Sequence, residues 1–542
     1  MEEKKQHETA YSADSDLEAP ATVEIGEIKE NGDLKRSLSP RQIHVISLGC
    51  NIGSGLFIGT GKALANGGPG GMIMGYFMVC LGVWAHLQTL AEMTIAFPTS
   101  GNYIDYADRW VDPALAFGAG LAEWLGWTAV FASEATFFVV LVNYWAEGSV
   151  PEAALLSIFI VICLVVFFMP NIIFGWLQYI GSLVKVFLFI FNIIVCLAII
   201  GGAGPNGQVR DGSTWTDLPA FKNGFGGFAN AALLAIWAIG DQIYIGVLSG
   251  EAKSPRYSMA HAANVVPWRV GVFYMVSITL ISVIVPSDDD RLLGGSGGAT
   301  TSPFVIAADN AGIKVVPDLI NVCIIVGILA IALESIYLPS RILRTMALQN
   351  LVPSFIAKVD DKGRPRWALL ITGMVGITLT YISLNGKGTE VLNWFISITS
   401  ASFFINWAIV AFTSFRFHAA IKAQNAPLFQ ELYAWHSSLW PLAPVAAFVI
   451  SSLLLVCLLY IAIKPLSDGF TAYSFFQNIL GLLIIVVFTA LYKVLLKTHW
   501  RDPKTADLIR GRRQLSTEEM ALMQKHYARP LWRRIGTYVK LW

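Results

Sequence analysis

From near residue 43 to near residue 496, blocks of about 20 apolar residues alternate with short polar breaks. A helix rising 1.5 Å per residue needs about 20 residues to cross roughly 30 Å of hydrocarbon, so each block predicts a membrane-spanning helix. Twelve spans are expected, near 43–66, 70–96, 113–145, 153–170, 173–201, 226–249, 267–286, 317–338, 367–384, 390–414, 441–463 and 472–496. The third and fifth are long enough to tilt. Residues 1–42 are polar, mixed in charge and poor in large apolar groups, which predicts a disordered tail rather than a cleaved signal peptide. Residues 43–496 form the twelve-helix membrane domain and 497–542 a second tail. In that tail, STEEMALMQKHY places Ser516 and Glu519 as a capping box, predicting a short surface helix.

Two blocks carry the same interruption. The first contains IGSGLFIG (52–59) and the sixth IGDQIYIG (239–246). Glycine in a helix interior costs about 1 kcal/mol relative to alanine, and inside a bilayer no water repairs the loosened backbone. The copies stand five spans apart, and an odd displacement inverts one relative to the other, as in inverted-repeat carriers. A helix broken at mid-membrane bares N–H groups at one half-helix start and C=O groups at the other half-helix end. Each bare group must line a cavity or meet a ligand. Ile52, Gly53, Ser54 and Gly55 would present amides to an anionic group, and the carbonyls of Ile236, Trp237 and Ala238 would accept from a cationic one. An α-amino acid carries both charges on neighbouring atoms. Close helix packing through small residues is the alternative. It accounts for Gly53 and Gly59 well, and for Asp241 beside Gly240 poorly.

Composition agrees with a polytopic membrane protein whose partner is lipid. Of 542 residues 55% are hydrophobic and only 14% charged, against about 25% charged in soluble domains. A net charge of +1 gives no reason to expect a nucleic-acid partner. Lys and Arg concentrate on one side of the expected spans: KSPRYS, the loop from Arg341 to Arg366, and RGRR at 510–513. Positive residues stay inside, so both tails are expected to be cytoplasmic. The six cysteines all fall in apolar stretches, without the paired spacing of a zinc site, so neither a metal centre nor a disulfide framework is expected. There is no Walker loop or HExxH, which predicts a protein that is not an enzyme and needs no cofactor.

The stretch LGCNIGSGLFIGTGKALANGGPGG resembles the first span of fungal amino acid permeases of the amino acid–polyamine–organocation superfamily. AEMTIAFPTSGNYIDYADRWVDPALAF, GEAKSPRYSM, PSRILRTMALQNLVPSFIAKVDDKGRPRWAL and RDPKTADLIRGRR resemble later family segments, in order. The resemblance implies an all-α, leucine-transporter-like fold of five-plus-five inverted repeats, with broken first and sixth helices and two extra helices. It also implies proton-driven uptake of L-amino acids at the plasma membrane, with the proton gradient as energy source. Two positions depart from the family: Asp241 replaces a usual Gly, and Glu334-Ser335 a usual Asn-Ser. Both make the expected cavity more acidic and admit a cationic or polar substrate.

Charges inside a span need a reason. By the resemblance, the Lys185 ammonium stands where sodium-dependent relatives hold a sodium ion; a static ion pair, with Glu334 for instance, is the alternative. Asp241 either holds a substrate cation, carries the coupling proton or caps the second half-helix. Glu334 is a substrate contact, a hydrogen-bonded core acid or a partner for Arg341 two turns on. Glu134 is structural or proton-related, and Glu123 lies on its face three turns earlier. Trp237 is either a lid over the substrate or core packing. Glu251 and Arg256 form either an inner gate or a surface ion pair. Two other functional classes share the fold: an amino acid sensor without net transport, and a polyamine or γ-aminobutyrate carrier. Lys4 and Lys5 are candidate ubiquitination sites.

Overall fold

In the computed structural model the first apolar block is not one helix. Helix α1 (Pro40–Gly49) stops, and helical bonding resumes as a π-helical segment, Gly55–Gly59. The chain then continues into α2 (Thr60–Ala96), which spans the second expected block as well. It bends at Gly68, whose φ of 70° favours glycine, just before Pro69, which has no N–H to donate. The loop ahead of the sixth block closes the gap: Gly70 donates to Ala220 at 2.7 Å and Lys222 to Gly67 at 3.0 Å. The described residues are 38–49, 52–53, 55–169, 171–205, 207–240, 243–293, 302–361, 363–385, 388–430, 433–466, 469–512 and 515–539.

After α2 come α3 (Asn102–Trp110), α4 (Pro113–Ala146), α5 (Glu152–Phe168), α6 (Asn171–Ile200) and the short α7 (Ser213–Thr216). The sixth block forms α8 (Gly224–Ile239) and α9 (Ile243–Leu248). Next are α10 (Pro255–Ile284), α11 (Pro303–Asn310), α12 (Val315–Leu348), α13 (Arg366–Ile382), α14 (Gly388–Gln424), α15 (Leu442–Ile463) and α16 (Ala472–Leu496). The tail adds α17 (Thr517–Tyr527) and α18 (Leu531–Val539). Among the described residues nine helical stretches are long and apolar enough to cross a membrane, and α5 and α13 are shorter apolar helices. The seventh block begins earlier than its hydropathy indicates, because Pro255 and the polar turn after it already belong to α10.

Packing sorts these helices. The most apolar window of 224–251 is 88% buried by protein and that of Ala472–Leu496 only 17%, so α8–α9 is central and α16 peripheral. The seam between α2 and α8 is made by small residues four apart. A Cβ at Gly67 would lie 2.9 Å from the Gly227 carbonyl, and one at Gly75 would lie 2.8 Å from the Ala232 nitrogen. Such stripes bring backbones together where lipid supplies no hydrophobic drive. Around α8 pack α2, α15 and α14; α4 packs with α12, α14, α16, α13 and α5.

The tail helix differs from a plain surface helix. Ser516 Oγ accepts from Glu519 N at 3.2 Å, the expected cap. Glu519, Met523 and His526 are buried, however, because α17 sits on the start of α10. There Glu519 Oε1 accepts from Arg256 N at 2.9 Å, placing a carboxylate at a helix N-terminus.

Candidate functional site

Leu56 N and Phe57 N both donate to the Gly53 carbonyl, at 3.1 and 3.4 Å, so helical bonding restarts at Gly53. A Cβ at Gly55 would lie 2.5 Å from the Cα of Ala238. Only glycine lets the first block's restart touch the end of α8. One turn on, a Cβ at Gly59 would lie 3.3 Å from the Trp237 ring. Gly53 itself abuts Ile331 of α12. Buried Ile52, Gly53, Gly55 and Trp237, with half-buried Ala238, therefore surround one locus bounded by α12. Ser54 and Asp241 lie outside the described residues.

The carbonyls at the end of α8 are not bare. The Ile236 carbonyl accepts from Gly240 N at 2.7 Å. That of Ala238 accepts from the Tyr274 hydroxyl of α10 at 3.4 Å, and that of Gly240 from Trp407 Nε1 of α14 at 3.0 Å. Carbonyls at a helix end inside an apolar span need donors, and neighbouring helices supply them. Each oxygen keeps a second lone pair. Tyr274 and Trp407 were not singled out in the sequence. Lone aromatics in apolar blocks carry no local sign of a partner 36 or 167 residues away.

On α12, Gly327, Ile331 and Glu334 follow at i, i+4 and i+7 and share a face. Gly327 meets the Lys185 stem, with Cγ 3.6 Å from where a Cβ would stand. Along the same seam, α6 and α12 run antiparallel. Phe174 stacks on Tyr337 at 4.4 Å, and Gln178 Nε2 donates to the Ala330 carbonyl at 2.8 Å. Helical side chains tilt toward their own N-terminus, which carries the Lys185 ammonium toward the level of Glu334. Lys185 Nζ and both Glu334 oxygens are buried and make no hydrogen bond among the described residues. The two charges act on each other without forming an ion pair within 4.0 Å.

Arg341 is not the partner of Glu334. Its Nε lies 3.1 Å from Glu251 Oε1, both side chains are 2% exposed, and its guanidinium sits 3.8 Å from the Tyr337 ring centroid. Glu251 is therefore paired with α12 rather than with Arg256, and the pair is buried rather than on the surface. The Glu251 backbone carbonyl also accepts from Leu38 N at 3.1 Å, seating the end of the N-terminal tail on the same turn. Glu134 is buried on α4 one turn before Phe137, whose ring lies 5.9 Å from that of Trp237. Trp237 is 9% exposed, wedged between Gly59 and α4. Sequence reading gave Glu123 no role, yet four side chains converge on it. Among the described residues no group of three or more His, Cys, Asp or Glu is placed to hold a metal ion.

Comparison with known proteins places this arrangement. Residues 42–504 match the amino acid permease family. The chain is 31% identical to the amino-acid permease GAP5 of Candida albicans, over 94% of this chain and 82% of that one. It is 28% identical to the general amino-acid permease GAP1 of Saccharomyces cerevisiae, over 93% and 86%. With the cationic amino acid transporter 1 of Schizosaccharomyces pombe it shares 29% identity, over 88% and 81%. Among solved structures it is similar to Mhp1, a nucleobase-cation-symport-1 family transporter in a closed conformation with bromovinylhydantoin bound. The TM-score there is 0.45 at 15% identity, covering 83% of this chain and 98% of that one. A family match across nearly the whole membrane domain, on a helical chain with many apolar spans, gives the assignment: this chain is a member of the amino acid permease family.

Proposed function

We propose that this permease is a secondary active transporter that carries L-amino acids into the cell together with protons, by alternating access. The observation that carries the reading is the contact of Gly55 with Ala238, which brings the restart of the first block against the end of α8. The substrate carboxylate takes the amides around Gly53, Ser54 and Gly55. The amino group takes the free lone pairs of the carbonyls at the end of α8 and the acidic face of Asp241 and Glu334. Two acids, Asp241 of the sixth span and Glu334 of the eighth, favour cationic or polar amino acids, and one relative is named a cationic amino acid transporter.

In this reading the chain crosses the membrane twelve times in two inverted five-helix repeats plus two helices. Counting α2 as two spans about Gly68, and α8–α9 as one, supports that number. Both tails face the cytoplasm of a plasma-membrane protein, and no cofactor takes part. The body of α1, α2, α8–α9 and α10 rocks against α4, α5, α12 and α13, with Lys185 bracing the two. The Glu251–Arg341 pair joins the bodies at the cytoplasmic side and opens when substrate is released inward. Lys185, Asp241 and Glu134 are the proton-coupling candidates of the sequence.

The test is a competition uptake panel at two pH values in a permease-deficient cell. Accumulation of an amino acid that rises with external acidity supports the reading. Binding without accumulation points to a sensor, and rates indifferent to pH refute proton drive.

A further inference from the structure

The carboxyl of Glu123 on α4 is fully buried and receives four hydrogen bonds from three helices. Trp127 Nε1 donates to Oε1 at 3.1 Å. Oε2 accepts from the Tyr103 hydroxyl of α3 at 3.4 Å, and from Ser402 Oγ and Asn406 Nδ2 of α14 at 3.1 and 3.3 Å. From α12, apolar Met346 packs on the preceding turn at Gly120. Tyr103 is the titratable group among these partners, and Glu123 forms no ion pair among the described residues. A carboxylate held by neutral donors alone keeps its charge without a counter-ion, so adding a proton breaks no ion pair.

The partners suit both charge states. The hydroxyls of Tyr103 and Ser402 donate to a carboxylate and, by rotating, accept from a carboxylic acid. Asn406 Oδ1 is buried with no hydrogen-bond partner among the described residues, so turning the amide offers it to an acid proton. The residues beside these partners reach the sixth block. Asn102, next to Tyr103, donates through Nδ2 to the Ile243 carbonyl at 2.9 Å, at the start of α9. Trp407, next to Asn406, donates to the Gly240 carbonyl at 3.0 Å, at the end of α8. A change in the hydrogen bonds of Glu123 is thus felt by the two residues that grip the chain on either side of positions 241 and 242.

We infer that Glu123 is the group that binds the transported proton, and that α3 and α14 relay its charge state to the substrate locus at the interruption of the sixth span. The inference rests on the proton-symport reading and names its carrier. On protonation from outside, the O–H turns to Asn406 Oδ1 or a hydroxyl partner. The grip on Gly240 and Ile243 shifts, and release of the proton inward restores the carboxylate. No bond other than the O–H forms or breaks.

The test uses the purified full-length chain in proteoliposomes, with a pH dye reporting protons taken up per amino acid and labelled substrate reporting rate against pH. Wild type is expected to move protons with substrate. Glu123→Gln, which mimics the acid and cannot release a proton, is expected to lose substrate-linked proton movement more than tenfold and to show a flat pH–rate profile. Should that variant fold poorly, Asn406→Leu keeps the carboxyl but removes one donor to its ionised form. It is expected to move half-maximal uptake about one pH unit toward alkaline. Wild-type proton movement and pH profiles in these variants overturn the inference alone. A wild type that moves substrate without protons overturns the symport reading and this assignment with it.

Discussion

Arg341 of α12 and Glu251, beyond the end of α9, form a buried pair with Nε 3.1 Å from Oε1, across 90 residues of sequence. The pair ties the helix that bounds the proposed substrate locus to the turn on which the Leu38 backbone also rests. Removing one member leaves the other charge buried and alone, at a cost of about 3–5 kcal/mol. Glu251→Gln is therefore expected to lower the unfolding temperature of the purified permease and reduce accumulation. The exchange of both residues, Glu251→Arg with Arg341→Glu, is expected to recover part of each. A thermal-shift measurement with no change in the single variant contradicts the pairing.

Gly55 has no room for a side chain against Ala238, where a Cβ would stand 2.5 Å from the Cα. Gly55→Val has to separate the two segments proposed to hold the ligand. Uptake is expected to fall at least tenfold, about 1.4 kcal/mol, with surface expression retained. Uptake kinetics alongside a surface-labelling assay decide it, and wild-type KM and rate in Gly55→Val sink the placement.

Glu334 stands on the α12 face that carries Ile331 and Gly327, with both oxygens lacking a hydrogen-bond partner among the described residues. If it meets the substrate, Glu334→Gln weakens cationic amino acids more than neutral ones, because a hydrogen bond to a charged group is worth about 1.5–3 kcal/mol. The ratio of lysine to leucine uptake is expected to drop roughly tenfold. An unaltered ratio assigns Glu334 to the core or to Lys185 alone.

His526 of the tail helix lies 5.1 Å from the His261 ring and 5.4 Å from that of Tyr257. Burial, then the charges of Arg534 and Arg529, hold its imidazole below the ordinary value of 6.5. A base depressed in the docked state stays neutral there. Its contribution to docking is full above pH 6.5 and is lost as pH falls below it. Hydrogen exchange across 517–527, corrected for intrinsic rates, is expected to quicken between about pH 7.5 and about pH 5.5. Equal protection at both contradicts the docking seen here.

What the sequence made legible was local. The glycines of IGSGLFIG mark where α1 stops and helical bonding resumes, and the Ile-Gly of the second copy marks the end of α8. The Ser516 cap needs only its own i+3 neighbour, and a motif of four residues reveals it. The long-range partners were not legible. A shared helix face made Arg341 one candidate partner for Glu334, whereas its acid comes from a distant turn. Trp407 and Gly240 stand 167 positions apart, and the donors to Glu123 from α14 stand 279 and 283 away. Inside a membrane the backbone groups bared at a helix end must find partners, and the packing of helices decides which.

The most direct test of the account is accumulation of labelled amino acids by the purified protein in proteoliposomes, with an inward proton gradient imposed. The expected result is internal substrate well above the external level, abolished by a protonophore and by Gly55→Val. Equilibration without accumulation, or accumulation indifferent to the protonophore, would contradict it.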